Sequence, residues 1–141
     1  MEHDTLPPQK GAFEQGWSAF LRVMAIVALG SALLYWAQLT GIYGEPDLRF
    51  DRLSPHGRVL FATLAVLMPA AALGLWLVAR WGVVIWVMGL VAEIAAYGIW
   101  VEQFPPRPWV AGVNAIALLV LLLLGGALLV ARYRAGAASE D

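Results

Sequence analysis

The sequence contains no cysteine and few charged residues, and both shortages narrow the classes of protein it can belong to. Without cysteine there can be no disulfide, no thiolate metal site and no thiol catalysis. Only 13% of the 141 residues are charged, against roughly 25% in soluble domains. The 9 basic and 10 acidic residues give a net charge of −1. The chain therefore lacks the basic patch that nucleic-acid binding requires.

Catalytic and cofactor motifs are also missing. The two histidines, His3 and His56, lie in a polar tail and a loop, without the spacing of a metal site. There is no glycine-rich phosphate loop, no Ser-His-Asp set and no pair of intramembrane histidines for haem. We therefore predict no catalytic residue, no metal site and no cofactor, and expect that the protein is not an enzyme.

Long apolar runs are what the sequence has instead. Hydrophobic residues make up 61% of the chain, and the mean hydropathy is +0.72. Four runs are long enough to cross a hydrocarbon core of about 30 Å as helices. They cover about residues 22–39, 58–79, 83–101 and 109–131. The sequence predicts an all-α membrane protein, a four-transmembrane-helix antiparallel bundle with short loops that forms one domain over residues 22–131.

Polar segments flank this domain. Residues 1–21 form a polar N-terminal tail, in which residues 12–21 carry an apolar stripe. That stripe is compatible with a short interfacial helix or with the start of the first span. Residues 132–141 form a polar C-terminal tail. An even number of spans places both termini on the same side of the membrane.

The second and third runs are separated only by Arg80-Trp81-Gly82, which predicts a tight hairpin turn there. Tryptophan supports the span limits, because its amphipathic ring prefers the headgroup level. All seven tryptophans fall near predicted span ends: Trp17, Trp36, Trp76, Trp81, Trp86, Trp100 and Trp109.

Glu93 is the one carboxylate deep in an apolar run, and an ionisable group there is a functional-site hypothesis by default. Counted from a turn at Trp81, Glu93 and Pro69 lie at about the same depth, near the midplane. Pro69 is expected to kink the second helix and to free the carbonyl of Ala65. A Glu93 that carries its proton could donate to that carbonyl.

Two further polar residues complete the candidate intramembrane site. Tyr97 lies one turn beyond Glu93 on the same helix face, and Asn114 reaches towards the same half of the membrane from the fourth span. These side chains are either interhelical hydrogen-bond glue or a protonatable ligand-binding site. Small residues such as Gly74 and Gly89 permit close helix approach, either within the bundle or to a partner subunit.

Several sequence features resemble the DUF6163 family of small alphaproteobacterial membrane proteins. The likeness rests on Tyr35-Trp36 followed by Gly41, on Trp81-Gly82-Val83-Val84-Ile85-Trp86, on Glu93 and Tyr97, and on Arg107-Pro108. It covers roughly residues 22–119. The family has no assigned activity, so the resemblance implies a bacterial inner membrane and no mechanism.

Basic residues divide five to four between the two sides, which favours cytoplasmic termini only slightly. The leading functional hypothesis is a non-enzymatic structural or accessory component of a membrane complex, with the lipid bilayer and a membrane protein or a second copy as partners. The alternative is a small transporter, or a protein that binds a lipid-soluble, quinone-like ligand through Glu93 and Tyr97. An integral-membrane enzyme is the third and least favoured hypothesis.

Overall fold

The computed structural model describes residues 11–42, 50–100, 102, 104 and 108–137, and it confirms the predicted fold class. The described residues form four α-helices: α1 (Ala12–Thr40), α2 (Pro55–Trp76), α3 (Arg80–Ile94) and α4 (Pro108–Ala137). A single π-helical turn, Ala95–Ile99, extends α3. All four helical segments are long and apolar enough to cross a membrane.

The first helix runs without a break from Ala12 to Thr40. The apolar stripe over residues 12–21 is therefore the start of this helix rather than a separate interfacial one. At about 1.5 Å per residue, its 29 residues extend over about 43 Å, more than the hydrocarbon thickness of about 30 Å. On the side of the termini, Glu14 of α1 forms an ion pair with Arg132 of α4 at 3.6 Å.

The hairpin turn lies at residues 77–79, three residues before the predicted position. The prediction of a turn at Arg80-Trp81-Gly82 was wrong because α2 ends in a Schellman motif. The amides of Val78 and Ala79 bind the carbonyls of Leu75 and Gly74, and Val78 has the left-handed φ of 55°. The same motif ends α1, where Gly41 occupies the left-handed position with φ 70°.

Gly82 has a packing role instead of a turn role. A methyl group at Gly82 would lie 2.6 Å from the Leu75 nitrogen, and one at Gly74 would lie 3.0 Å from the Gly82 nitrogen. The backbones of α2 and α3 therefore touch at this point. One further glycine, Gly89, leaves room for the side chain of Met68, whose Cε would lie 2.7 Å from an added methyl group. These glycines therefore contribute to the packing of helices within the bundle.

The core lies between the first three helices. Its fully buried large side chains are Leu21, Phe61, Leu64, Met68 and Leu75. By contrast, α4 packs mainly along α3, and only 11% of its most apolar window is buried, against 44% for α2. The fourth helix therefore leaves most of its apolar surface outside the bundle.

Trp86 is a core residue, contrary to its predicted position near a span end. Trp86 is only 2% exposed and lies edge-on to Phe20, with 6.3 Å between the ring centroids. Because α3 begins at Arg80 rather than at residue 83, Trp86 lies well inside the helix and belongs to the core.

Candidate intramembrane polar site

Three buried polar side chains from three different helices meet inside the bundle. Glu93 of α3 is 6% exposed, and Asn114 of α4 and Tyr35 of α1 are equally well covered. The Tyr35 hydroxyl donates to Glu93 Oε1. The Asn114 amide donates to Glu93 Oε2 with a distance of 2.5 Å. Both oxygens of the intramembrane carboxyl are thus engaged by side chains of other helices.

The packing around Tyr35 fixes the position of its hydroxyl. The ring stands at 90° to that of Phe61, with centroids 5.3 Å apart, and Phe61 is completely buried. Such an edge-to-face contact is a favourable aromatic geometry. Tyr35 lies on the buried face of α1 together with Ala28 and Ala32. The small alanines let α1 approach α2 closely, so that Tyr35 reaches α3.

The carbonyl that Pro69 frees has a different partner from the one predicted. Pro69 has no amide hydrogen to bind the Ala65 carbonyl. The indole of Trp36 donates to that oxygen at 3.0 Å. The hypothesis that Glu93 binds this carbonyl is therefore wrong, since Glu93 is turned towards Tyr35 and Asn114 instead.

The shifted turn explains why Glu93 and Pro69 do not lie at the same depth. With Gly74 against Gly82 and Met68 against Gly89, Glu93 of α3 comes opposite Leu64 of α2. This places the carboxyl about one and a half helical turns from Pro69, closer to the Ile99 end of the span than to Arg80. The site thus lies in the half of the bundle away from the termini.

The chemistry of the cluster suits either protonation state of Glu93. A carboxylate accepts from the Tyr35 hydroxyl and from the Asn114 amide. A protonated carboxyl can instead donate to the Tyr35 oxygen, or to the Asn114 carbonyl oxygen once the amide is turned over. The three side chains can therefore stay hydrogen-bonded whether or not the proton is present.

Tyr97 extends the buried polar region along the π-helical turn. It is 2% exposed, and its ring lies 6.2 Å from that of Phe104. Phe104 also lines a cleft of about 690 Å³ at the start of α2, which is open to the surroundings. The residues that line it are Pro55, His56, Val59, Leu60, Thr63, Trp100 and Phe104. Most of this lining is apolar.

Sequence reasoning missed two polar residues of α1. In the sequence-based prediction, Tyr35 appears only as part of the family resemblance, and Gln38 has no role. Gln38 is 6% exposed, and its Oε1 has no hydrogen-bond partner among the described residues. A signal was present, because Tyr35 and Gln38 are polar residues three apart on one helix face within an apolar span. Within the described part of the chain, no three His, Cys, Asp or Glu side chains are grouped so that they could hold a metal ion.

Comparison with known proteins gives a family but no activity. No curated protein and no solved structure matches the chain. The sequence profile of DUF6163, a family of unknown function, matches residues 16–132. This range contains Tyr35, Glu93 and Asn114 and nearly all of the four helices. The chain belongs to the DUF6163 family.

Proposed function

We propose that this protein is a non-enzymatic structural or accessory component of a bacterial inner-membrane complex. The observation that carries the proposal is the engagement of both Glu93 oxygens by Tyr35 and Asn114. A carboxyl held in this way ties α1 and α4 to α3, which is the use expected of interhelical hydrogen bonds. The intramembrane polar group thus has a structural task that requires neither substrate nor cofactor.

The partner would be another membrane protein or a second copy of this chain. Exposed apolar residues run along α4, among them Ile116, Leu119, Leu122 and Leu123. Lipid covers such a surface as well as a protein does, so their exposure does not by itself identify a partner. The slight excess of basic residues on the side of the termini supports an orientation with both termini in the cytoplasm.

Native co-purification in a mild detergent tests this function. The wild-type protein and Glu93→Gln are purified in parallel, and both are analysed by size and by mass spectrometry. The Gln side chain can accept a hydrogen bond from the Tyr35 hydroxyl. It can also donate one to the Asn114 carbonyl oxygen once that amide is turned over, but it cannot ionise. We expect a stable protein partner or homo-oligomer that survives the substitution.

Glu102→Gln is the matched control, because Glu102 is exposed and lies outside the helices. The proposal is overturned if both wild type and Glu102→Gln are monomeric without a partner while Glu93→Gln releases a bound small molecule.

A second candidate function, the binding of a lipid-soluble ligand, is favoured by the cleft beside Phe104. The ring contact between Phe104 and Tyr97 connects this cleft to the buried polar region. Trp100 and Phe104 offer aromatic surfaces, and His56 offers a polar group in the lining. A quinone-like molecule bound there would be lost in Phe104→Ala and retained in Glu102→Gln, as measured by mass spectrometry of lipid extracts from the purified protein.

A further inference from the structure

A polar cleft lies at the opposite end of the bundle, between the start of α1 and the end of α2. Its volume is about 620 Å³. The residues that line it are Gln15, Ser18, Ala19, Arg22, Trp76, Leu77 and Val78. We refer to it as the Arg22 cleft. It is separate from the Glu93 cluster and from the cleft beside Phe104.

Arg22 is the one charged residue that lines this cleft. Its guanidinium lies over the Trp76 ring, 6.0 Å from the ring centroid. Among the described residues it forms no ion pair. Glu14, the acidic residue of the same helix end, is paired with Arg132 of α4. The cleft therefore presents a positive charge that no carboxylate of the described residues neutralises.

The two walls of the Arg22 cleft differ in polarity. On α1, Ser18 offers a hydroxyl and lies one helical turn before Arg22. On α2, Leu77 and Trp76 are 69% and 54% exposed and offer apolar surface. A guanidinium fork with a hydroxyl suits a phosphate, and an adjoining apolar wall suits the first part of an acyl chain. Free inorganic phosphate would contact only the polar wall on α1.

One of the residues that line the Arg22 cleft, Val78, has a strained backbone conformation. Val78 adopts a left-handed φ of 55°, which is costly for a β-branched residue. At the equivalent position of the α1 Schellman motif stands a glycine, Gly41. Val78 lines the cleft and also packs on the core. Strained residues that persist in a fold concentrate at ligand sites.

We propose that the Arg22 cleft binds the phosphate headgroup of an anionic phospholipid. Its depth agrees with this ligand, because Arg22 lies about one and a half turns from Trp17, which is predicted to be interfacial, and Trp76 is the last residue of α2. Basic pockets between transmembrane helices bind anionic headgroups in this way. The proposal is independent of whether the protein has an accessory role.

Native mass spectrometry of the detergent-purified full chain tests the site. Wild type is titrated with phosphatidylglycerol and with phosphatidylcholine of the same acyl chains. We expect the first bound phosphatidylglycerol to be retained about fivefold better than phosphatidylcholine. Arg22→Gln should remove this preference, and Arg22→Lys should keep part of it, because Lys retains the charge without the fork.

Arg80→Gln is the matched control, since Arg80 is an exposed arginine at the same end of the bundle but does not line the cleft. It should keep the full preference. Trp76→Leu preserves the charge and removes the aromatic wall, so it reports on the site even if Arg22→Gln does not fold. It should lower the preference without abolishing it.

Two results would overturn the proposal. One is a preference for phosphatidylglycerol that is the same in wild type, Arg22→Gln and Trp76→Leu. The other is displacement of the bound lipid by millimolar inorganic phosphate, which would mean that the cleft recognises a free anion rather than a lipid.

Discussion

Among the described residues, Glu93 is the one carboxylate that is buried inside the bundle. A charged side chain at the centre of a membrane helix costs about 3 kcal/mol on insertion scales. Hydrogen bonds from Tyr35 and Asn114 offset part of that cost. Each interhelical bond of this kind contributes about 1 kcal/mol. The cluster can therefore be tested one side chain at a time.

Replacing Glu93 with Gln and with Leu separates hydrogen bonding from ionisation. We expect Glu93→Gln to lower the free energy of unfolding by less than about 1 kcal/mol, because the Gln side chain can form hydrogen bonds with both Tyr35 and Asn114. Glu93→Leu should lower it by about 2 kcal/mol, because Tyr35 and Asn114 both lose their partner. Unfolding in mixed micelles followed by circular dichroism measures both. Equal losses in the two variants would contradict a hydrogen-bonding role.

The bond from Trp36 to the Ala65 carbonyl predicts a coupling with Pro69. In the wild type, Trp36→Phe leaves this carbonyl without its donor and should cost about 1 kcal/mol. In a Pro69→Ala background the amide of residue 69 supplies an intrahelical donor, so the same substitution should cost less. A double-mutant cycle measures the difference, which we expect to be about 0.5–1 kcal/mol. A coupling of zero would mean that Trp36 does not compensate for the proline.

At the scale of the helices, the end of α2 departs most from what the sequence suggests. Tight turns usually place glycine at the left-handed position, and Gly82 is the glycine within the expected turn, Arg80-Trp81-Gly82. The structure places Val78 there and uses Gly82 for contact with Gly74. Local sequence could not reveal this, because the demand for a glycine at residue 82 comes from a neighbouring helix.

Val78→Gly and Val78→Ala form a matched pair that isolates the backbone strain. Both substitutions remove the isopropyl group, but only glycine adopts a φ of 55° without steric cost. We expect Val78→Gly to be more stable than Val78→Ala by about 1 kcal/mol. Thermal unfolding in detergent gives the comparison. A Gly variant no more stable than the Ala variant would mean that Val78 is unstrained.

The contact between α2 and α3 predicts a strong effect at Gly82 and none at Gly30. Gly82→Ala would force an added methyl group to within 2.6 Å of the Leu75 nitrogen, and should cost about 2–3 kcal/mol. Nothing lies within 4 Å of a methyl group at Gly30, so Gly30→Ala should be neutral or slightly stabilising. Melting temperatures of the two variants test the close approach. A tolerated Gly82→Ala would show that the helices are farther apart.

The sequence predicted more of the fold than of the site. Hydropathy alone defines four spans, because every membrane helix must bury its backbone polar groups within itself. The sequence also identified Glu93, Tyr97 and Asn114 as buried polar residues, and in the structure Asn114 donates a hydrogen bond to Glu93. Tyr35 could not be predicted as the third partner, because that contact depends on how α1 rotates against α2. Hydropathy does not encode helix rotation.

On the scale of the whole molecule, the bundle consists of three closely packed helices and one that lies along their side. The buried share of the apolar windows falls from 44% in α2 and 39% in α3 to 11% in α4. The bond from Asn114 to Glu93 and the exposed ion pair from Arg132 to Glu14 hold α4 near its two ends. An exposed pair contributes little, so the buried bond is the stronger attachment.

The proposed orientation can be tested directly because the chain has no cysteine of its own. Phe13 and His56 are exposed at opposite ends of the bundle. With cytoplasmic termini, a membrane-impermeant maleimide should label His56→Cys in spheroplasts and should label Phe13→Cys only after permeabilisation. The unmodified chain is the control and should give no signal. The reverse pattern would place the termini outside.

The order of the chain also bears on how Glu93 enters the membrane during synthesis. Segments reach the translocon from the N-terminus onwards, so α1 is inserted before α3 and α4 is inserted last. Tyr35 of α1 is thus in the bilayer when Glu93 arrives, whereas Asn114 has yet to be made. Of the two hydrogen-bond partners of Glu93, Tyr35 is therefore synthesised first, and Asn114 becomes available only with the last helix.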